Sequence, residues 1–234
     1  MLKKLLLSVL MIFSLSLAKG TENTKSFEYY KKEAQKDNAI AQYNIAMMYK
    51  NGRGVEKNLE KAFYWMNLAA RNGYSPAQFE LGKMYVLGEG TEKNYKEAYK
   101  WFLKASQKGN KEAELAIAWM YAFGKGVKKD LKKALKWYKR AAKDGSVDAM
   151  YAIGKMYYEG IGVLKDYQKA FRWFMKAAKK NHAVAQRMLG IMYIYKQGVQ
   201  KRDMQRAKYW LSKAFDNGDE KAKTIWDDFE MWDY

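Results

Sequence analysis

One pattern of 36 residues returns five times along this chain, opening at Ala41, Ala77, Ala113, Ala149 and Ala185, and it constrains the fold more than any other feature. Read in register, the fifth position of each copy is aliphatic: Ile45, Leu81, Ile117, Ile153 and Leu189. The next position is small, being Ala46, Gly82, Ala118, Gly154 or Gly190, and a Met-Tyr pair follows at Met48-Tyr49, Met84-Tyr85, Met120-Tyr121, Met156-Tyr157 and Met192-Tyr193. The opening alanine, the aliphatic residue and the Met-Tyr pair share one face of a helix. The small residue on that face admits a second helix at close range. A Gly-x-Gly stretch then supplies a left-handed stop and a turn, as at Gly52 and Gly54 or Gly160 and Gly162. In the fifth copy only Gly198-Val199 remains of it.

An Asn or Asp follows in every copy: Asn58, Asn94, Asp130, Asp166 and Asp203. A side-chain oxygen there can accept from the free N–H groups that open a second helix. That helix carries Ala62, Ala98, Ala134, Ala170 or Ala207, then Trp65, Trp101, Trp137, Trp173 or Trp210. Gly73, Gly109, Gly145, Asn181 or Gly218 ends it, asparagine being the non-glycine residue that best tolerates left-handed backbone. The last copy has one extra residue near Arg202, where a slip falls in the interhelix loop and spares the helices.

Each copy is therefore a helical hairpin whose apolar faces cannot be buried alone, and stacking the hairpins builds a continuous core. The expected class is all-α, an α-solenoid. The pattern A-x(3)-L-G-x-M-Y-x(2)-G-x-G-V-x-K-D-Y-x-K-A-x(2)-W-x(3)-A-A resembles the Sel1-like repeat, a relative of the tetratricopeptide repeat, and the resemblance spans residues 41–222. It implies a right-handed superhelix of five repeats, at 41–76, 77–112, 113–148, 149–184 and 185–221. It also implies adaptor roles in the bacterial envelope. Some exported members of the family are described as penicillin-binding or β-lactam-hydrolysing, which makes a hydrolase the alternative reading. Related exported proteins can staple each hairpin with a disulfide, but this chain has no cysteine and must rely on stacking.

The two ends depart from the repeat. Met1-Leu2-Lys3-Lys4, the uncharged run Leu5 to Leu17, and small residues at Ser16 and Ala18 read as a signal peptide over 1–18, cut after Ala18. The expected location of the mature chain is periplasmic or secreted, with no membrane span after the signal is removed. Residues 19–40 read as a linker and a half-repeat cap, with Phe27, Tyr29, Tyr30 and Ala34 resembling a second helix that lacks its first. Residues 223–234 are acidic and aromatic. Trp226 and Phe229 could cap the last repeat, or the segment could be a tail that docks on a basic surface.

The formal charge is +19, and much of it sits on Lys128, Lys129, Lys132, Lys133, Lys136, Lys139, Arg140 and Lys143. Such density suits an anionic partner. Export argues against nucleic acid, which leaves acidic proteins, envelope material or plain solvation of a helical face. Oligomeric state is not encoded in these features.

On each first helix, the positions two, six, nine and ten after the opening alanine lie opposite the core face, and in tetratricopeptide-type stacking that side lines the concave surface. These positions gather Tyr43, Met47, Phe79, Lys83, Leu87, Leu115, Trp119, Phe123, Tyr151, Lys155, Tyr158 and Tyr195. A helix apolar on both sides is either buried twice or holds a ligand. The functional expectation is a groove for a protein segment, with Trp119, Phe123, Tyr151 and Tyr158 as central anchors.

Catalysis needs a nucleophile, a tuned acid or base, or a metal. The single histidine, His182, falls in the turn after the fourth hairpin, and the repeated methionines belong to the core pattern. The only Ser-x-x-Lys spacing, Ser16 to Lys19, straddles the expected cleavage point, and neither a Ser-Asp-Asn nor a Lys-Thr-Gly partner is present. Glu89 and Glu159 occupy neighbouring positions at the ends of first helices and read as solvated acids. No catalytic residue, cofactor or metal ligand is expected.

Overall fold

The computed structural model describes residues 22–229 and is all-helical among them, with twelve helices. The helices fall into two compact units that divide after Asn110. Unit 1 contains α1 (22–34), α2 (Ala39–Asn51), α3 (Leu59–Arg71), α4 (Ser75–Leu87) and α5 (Tyr95–Gln107). Unit 2 contains α6 (Lys111–Phe123), α7 (Leu131–Lys143), α8 (Val147–Glu159), α9 (Tyr167–Ala178), α10 (Ala183–Ile194), α11 (Met204–Asp216) and α12 (Lys221–Asp228). The signal peptide over 1–18 with its cut after Ala18, the Ser16–Lys19 spacing, and the tail from Glu230 onward lie outside the described residues.

The hairpin register comes from capping. Asn58, Asp130, Asp166 and Asp203 each accept the backbone N–H three residues on at 2.8–2.9 Å. Each loop is then closed by the N–H of that capping residue, which donates to the carbonyl of the repeat tyrosine, as from Asn58 to Tyr49 and from Asp166 to Tyr157, both at 2.9 Å. Asp203 makes the same bond to Tyr193 at 3.2 Å, so the extra residue of the last copy is absorbed within its loop. There Lys196 takes the left-handed position that Gly160 holds one copy earlier, with φ of 55° against 75°.

Packing inside a hairpin centres on a residue that the repeat pattern hides. The side chain after each tryptophan is Met66, Phe102, Tyr138, Phe174 or Leu211, and all five are buried. Three of them seat on the small residue of the first helix: Phe102 on Gly82, Phe174 on Gly154 and Leu211 on Gly190. A Cβ on Gly82 would stand 2.5 Å from the Phe102 ring, so glycine there is required by contact rather than by backbone angle. Burying one such side chain contributes about 1.5–3 kcal/mol. The aliphatic residues Ile45, Leu81, Ile117, Ile153 and Leu189 complete the core at 0 % exposure.

Helices α1 and α12 lie outside the five copies and carry polar residues at positions where the copies place small or apolar ones. In α1, Ser26, Tyr30 and Glu33 stand where α3 places Ala62, Met66 and Ala69. At the other end α12 begins a sixth copy, with Ala222 buried and Ile225, Trp226 and Phe229 packed on the cluster of Leu211 and Ala214. Beside it lies an apolar hollow of about 240 Å³ lined by Leu211, Phe215, Ala222 and Trp226. Asp227 occupies the position that is Ala or Gly in all five copies. A second helix packed there would bury that carboxylate, which costs free energy unless it is paired.

Candidate functional site

In unit 1 the outward positions of the first helices are closed by charge. Lys50 Nζ lies 2.7 Å from Glu89 and 3.7 Å from Glu80, and Lys83 Nζ lies 2.7 Å from Glu80. The Lys83 ammonium also stands 5.4 Å from the centre of the Phe79 ring, which itself lies 5.6 Å from Phe102. Tyr43 meets Tyr74 edge to face at 5.2 Å, and burial is the main cause that raises its phenol pKa. Met47 is half-buried, and Leu87 projects outward at 57 % exposure.

In unit 2 the same positions carry aromatic and small residues. Where unit 1 has Lys50 and Glu80, unit 2 has Ala122 and Tyr158, and Ala116 and Ala152. Trp119 is half-buried and packs at 5.5 Å against Phe123, which is 60 % exposed. Leu115 and Ala122 rest on the core beneath them. Lys155 is exposed, 3.8 Å from Glu159.

Tyr151 and Tyr158 serve the hairpin more than the surface. Tyr151 stacks on His182 at 4.6 Å and lies 5.7 Å from Phe174. Tyr158 meets Tyr167 at 5.2 Å, and its hydroxyl donates to Gln197 Oε1 at 2.8 Å. Burial raises its phenol pKa and Tyr167 adds to the rise, while the bond to Gln197 opposes it. Tyr195 is 58 % exposed and touches Phe229 at 5.9 Å. The exposed aromatic side chains at these positions in unit 2 are thus Phe123 and Tyr195, with Trp119 half-covered beside the first.

Two sets of residues were missed from sequence. Gln42, Gln78 and Gln186, one after the opening alanine, are buried and donate through Nε2 to the carbonyls of Ala34, Ala70 and Ala178 at 3.1–3.2 Å. Asn72 and Asn217 donate in turn to Gln42 and Gln186. The recurring glutamine was the available signal, but Glu114 and Met150 interrupt it. His182 caps α10, its Nδ1 accepting from Ala185 N–H at 3.1 Å. Among the described residues no group of three or more His, Cys, Asp or Glu is placed to hold a metal ion.

The model of the Sel1 repeat matches residues 39–74, 75–110, 111–146, 147–182 and 183–219. The chain belongs to the Sel1 repeat family. Each matched unit starts two residues before an opening alanine, and the last is one residue longer than the others. Among solved structures, a Sel1 repeat protein from Oxalobacter formigenes is 34% identical with a TM-score of 0.79, over 92% of this chain and 85% of that one. A protective antigen of uropathogenic Escherichia coli, c5321, is 35% identical with a TM-score of 0.80 over 84% of this chain. The chain spans only 42% of that antigen's length. A Klebsiella pneumoniae protein named as a sel1 repeat protein, 23% identical with a TM-score of 0.52 over 87% of this chain and 99% of that one, shares the fold. No curated protein matches the chain. Sel1 repeat proteins are generally protein-interaction scaffolds and typically non-enzymatic. Among the described residues no helix is long and apolar enough to cross a membrane.

Proposed function

We propose that this Sel1 repeat protein is an exported scaffold that binds a protein segment on the first-helix face of unit 2. The observation that supports the reading most is Trp119 packed on the 60 % exposed Phe123, above Leu115 and Ala122 and beside none of the ion pairs that close the face of unit 1. Aromatic anchors of this kind dominate interface energies, at roughly 2 kcal/mol or more each on truncation. Lys155 would set the polarity of the bound segment and favour one with acidic residues. Export rests on the basic start, the Leu5 to Leu17 run and the small residues before the expected cut.

The test is a double substitution, Trp119→Ala with Phe123→Ala, measured against a partner captured from an envelope extract. Phe123 replaces Tyr158 as the second site because Tyr158 also holds the hairpin through Tyr167 and Gln197. A folded variant should bind more than tenfold more weakly. Undiminished affinity in a variant that keeps its helical content and melting temperature would remove this face from the account.

A further inference from the structure

The interhelix loops of unit 2 form a second surface, which adjoins the first-helix face at Phe123 and Tyr195. Three loops, 124–130, 160–166 and 195–203, connect α6 to α7, α8 to α9 and α10 to α11. They stack along one edge, because Gly162 sits against Leu131 at the start of α7 and Gly198 against the carbonyl of Tyr167 at the start of α9. Leu164 stands on this edge at 91 % exposure, the most exposed large apolar side chain among the described residues, with Ile161 beside it at 38 %. Phe123 and Tyr195 stand at its first and third loops.

Positive charge surrounds these side chains. Lys125, Lys128 and Lys129 lie in the first loop, Lys165 in the second, and Lys196, Lys201 and Arg202 in the third, all exposed. The acids of the same loops are Asp130, Asp166 and Asp203, whose side chains are engaged as helix caps. The corresponding loops of unit 1, 52–58 and 88–94, carry Arg53, Lys57 and Lys93 against Glu56, Glu89 and Glu92 and so balance. At the positions of Ile161 and Leu164 they carry Arg53 and Glu56, and Glu89 and Glu92.

From this edge we infer that unit 2 docks peripherally on a bilayer surface rich in anionic phospholipid. Leu164 and Ile161, two apolar side chains on one exposed loop, offer little area to a peptide, whereas they can enter the boundary between headgroups and acyl chains. Lysines around them would reach the lipid phosphates, with Tyr195 at headgroup level. Contact is at the interface only.

The experiment is co-sedimentation of the chain beginning at Lys19, which keeps every described helix and omits the apolar run Leu5 to Leu17. Vesicles of phosphatidylethanolamine and phosphatidylglycerol are compared with vesicles of phosphatidylcholine alone. Binding to the anionic vesicles is expected, with little to the neutral ones. Ile161→Gln with Leu164→Glu should weaken it at least about tenfold, as should Lys128→Gln with Lys129→Gln and Lys165→Gln. Leu87→Glu, in unit 1, should change nothing. All five positions substituted on this edge of unit 2 are exposed, and melting temperature checks each variant's fold. Absence of vesicle binding by the folded chain, equal binding to neutral vesicles, or full retention by the Ile161 and Leu164 variant would overturn the inference. So would capture of an acidic polypeptide by these loops in a chain that ignores the vesicles.

Discussion

Nine residues after the opening alanine, α2 of unit 1 places Lys50, held between Glu80 and Glu89, while α8 of unit 2 places Tyr158, packed on Tyr167. The helical frame around the two positions is the same. In both units a capping Asn or Asp starts the second helix, and a buried aromatic seats on glycine, Phe102 on Gly82 and Phe174 on Gly154. Most of what differs lies at outward positions, the buried Glu114 in place of Gln78 being an exception. On its first-helix face unit 1 pairs Lys50 and Lys83 with Glu80 and Glu89, and its loops balance acid with base. Unit 2 holds 26 Lys and Arg against 13 Asp and Glu over 111–229, where 22–110 holds 15 against 10, and it shows aromatic and aliphatic side chains on its outer face and loop edge. In a repeat array the invariant positions build the support, so a function belonging to one unit must reside in positions that the repeat leaves free.

The largest expected effect tests the shared frame. Phe102→Ala and Phe174→Ala should each destabilise the chain by about 3–5 kcal/mol in chemical denaturation, since each removes a ring seated on a glycine and leaves a cavity. Similar losses support one frame in both units, and a loss confined to one unit breaks the comparison at its root. Next in size is the binding contrast: Trp119→Ala with Phe123→Ala should cost roughly 2 kcal/mol or more of partner affinity, and Met47→Ala with Leu87→Ala less than about 0.5 kcal/mol, by titration calorimetry.

A pH effect distinguishes the units more finely. Glu114 in unit 2 is buried, and its carboxyl pKa is raised first by burial, with Asp144 adding to the rise and Arg140 opposing it. The folded chain therefore holds that proton more tightly than the unfolded chain does. The cost of ionising Glu114 is absent below the unfolded pKa and complete above the folded one, so stability falls as pH rises between them. Arg140 Nε, 2.5 Å from Glu114, and Asp144 are the charged groups beside it. Glu114→Gln should remove this part of the pH dependence in thermal melts, and Gln78→Glu, at the matching site of unit 1, should introduce it. Last, Lys50→Met strips the counter-ion from Glu80 and Glu89, whose side chains are only 15 % and 28 % exposed, and should lower stability by about 1–3 kcal/mol in chemical denaturation.

The hairpin frame was legible in the sequence because capping and close packing demand particular residue types: Asn or Asp at the cap, Ala or Gly at the contact, Gly at the left-handed turn. Every capping residue read from the pattern accepts a helix N–H, and Asn181 takes the left-handed angle with φ of 62°. The residue after tryptophan escaped notice because burial asks only for bulk, and Met, Phe, Tyr and Leu all supply it. The first-helix face was legible as a set of positions, but not as two different surfaces. Whether Lys50 is free or held depends on Glu89, 39 residues away in the next copy, and whether Tyr158 is presented or packed depends on Gln197, also 39 residues away. Such pairings follow from which hairpin lies beside which, and spacing within one copy does not contain them.

Hydrogen exchange measured on the chain alone and with its captured partner tests the central claim most directly. The account predicts slowed exchange in α6 and α8, over segments carrying Leu115, Trp119, Phe123 and Lys155, with α2 and α4 unchanged. Protection centred on Tyr43, Met47, Phe79 and Lys83, with α6 and α8 unaffected, would contradict it.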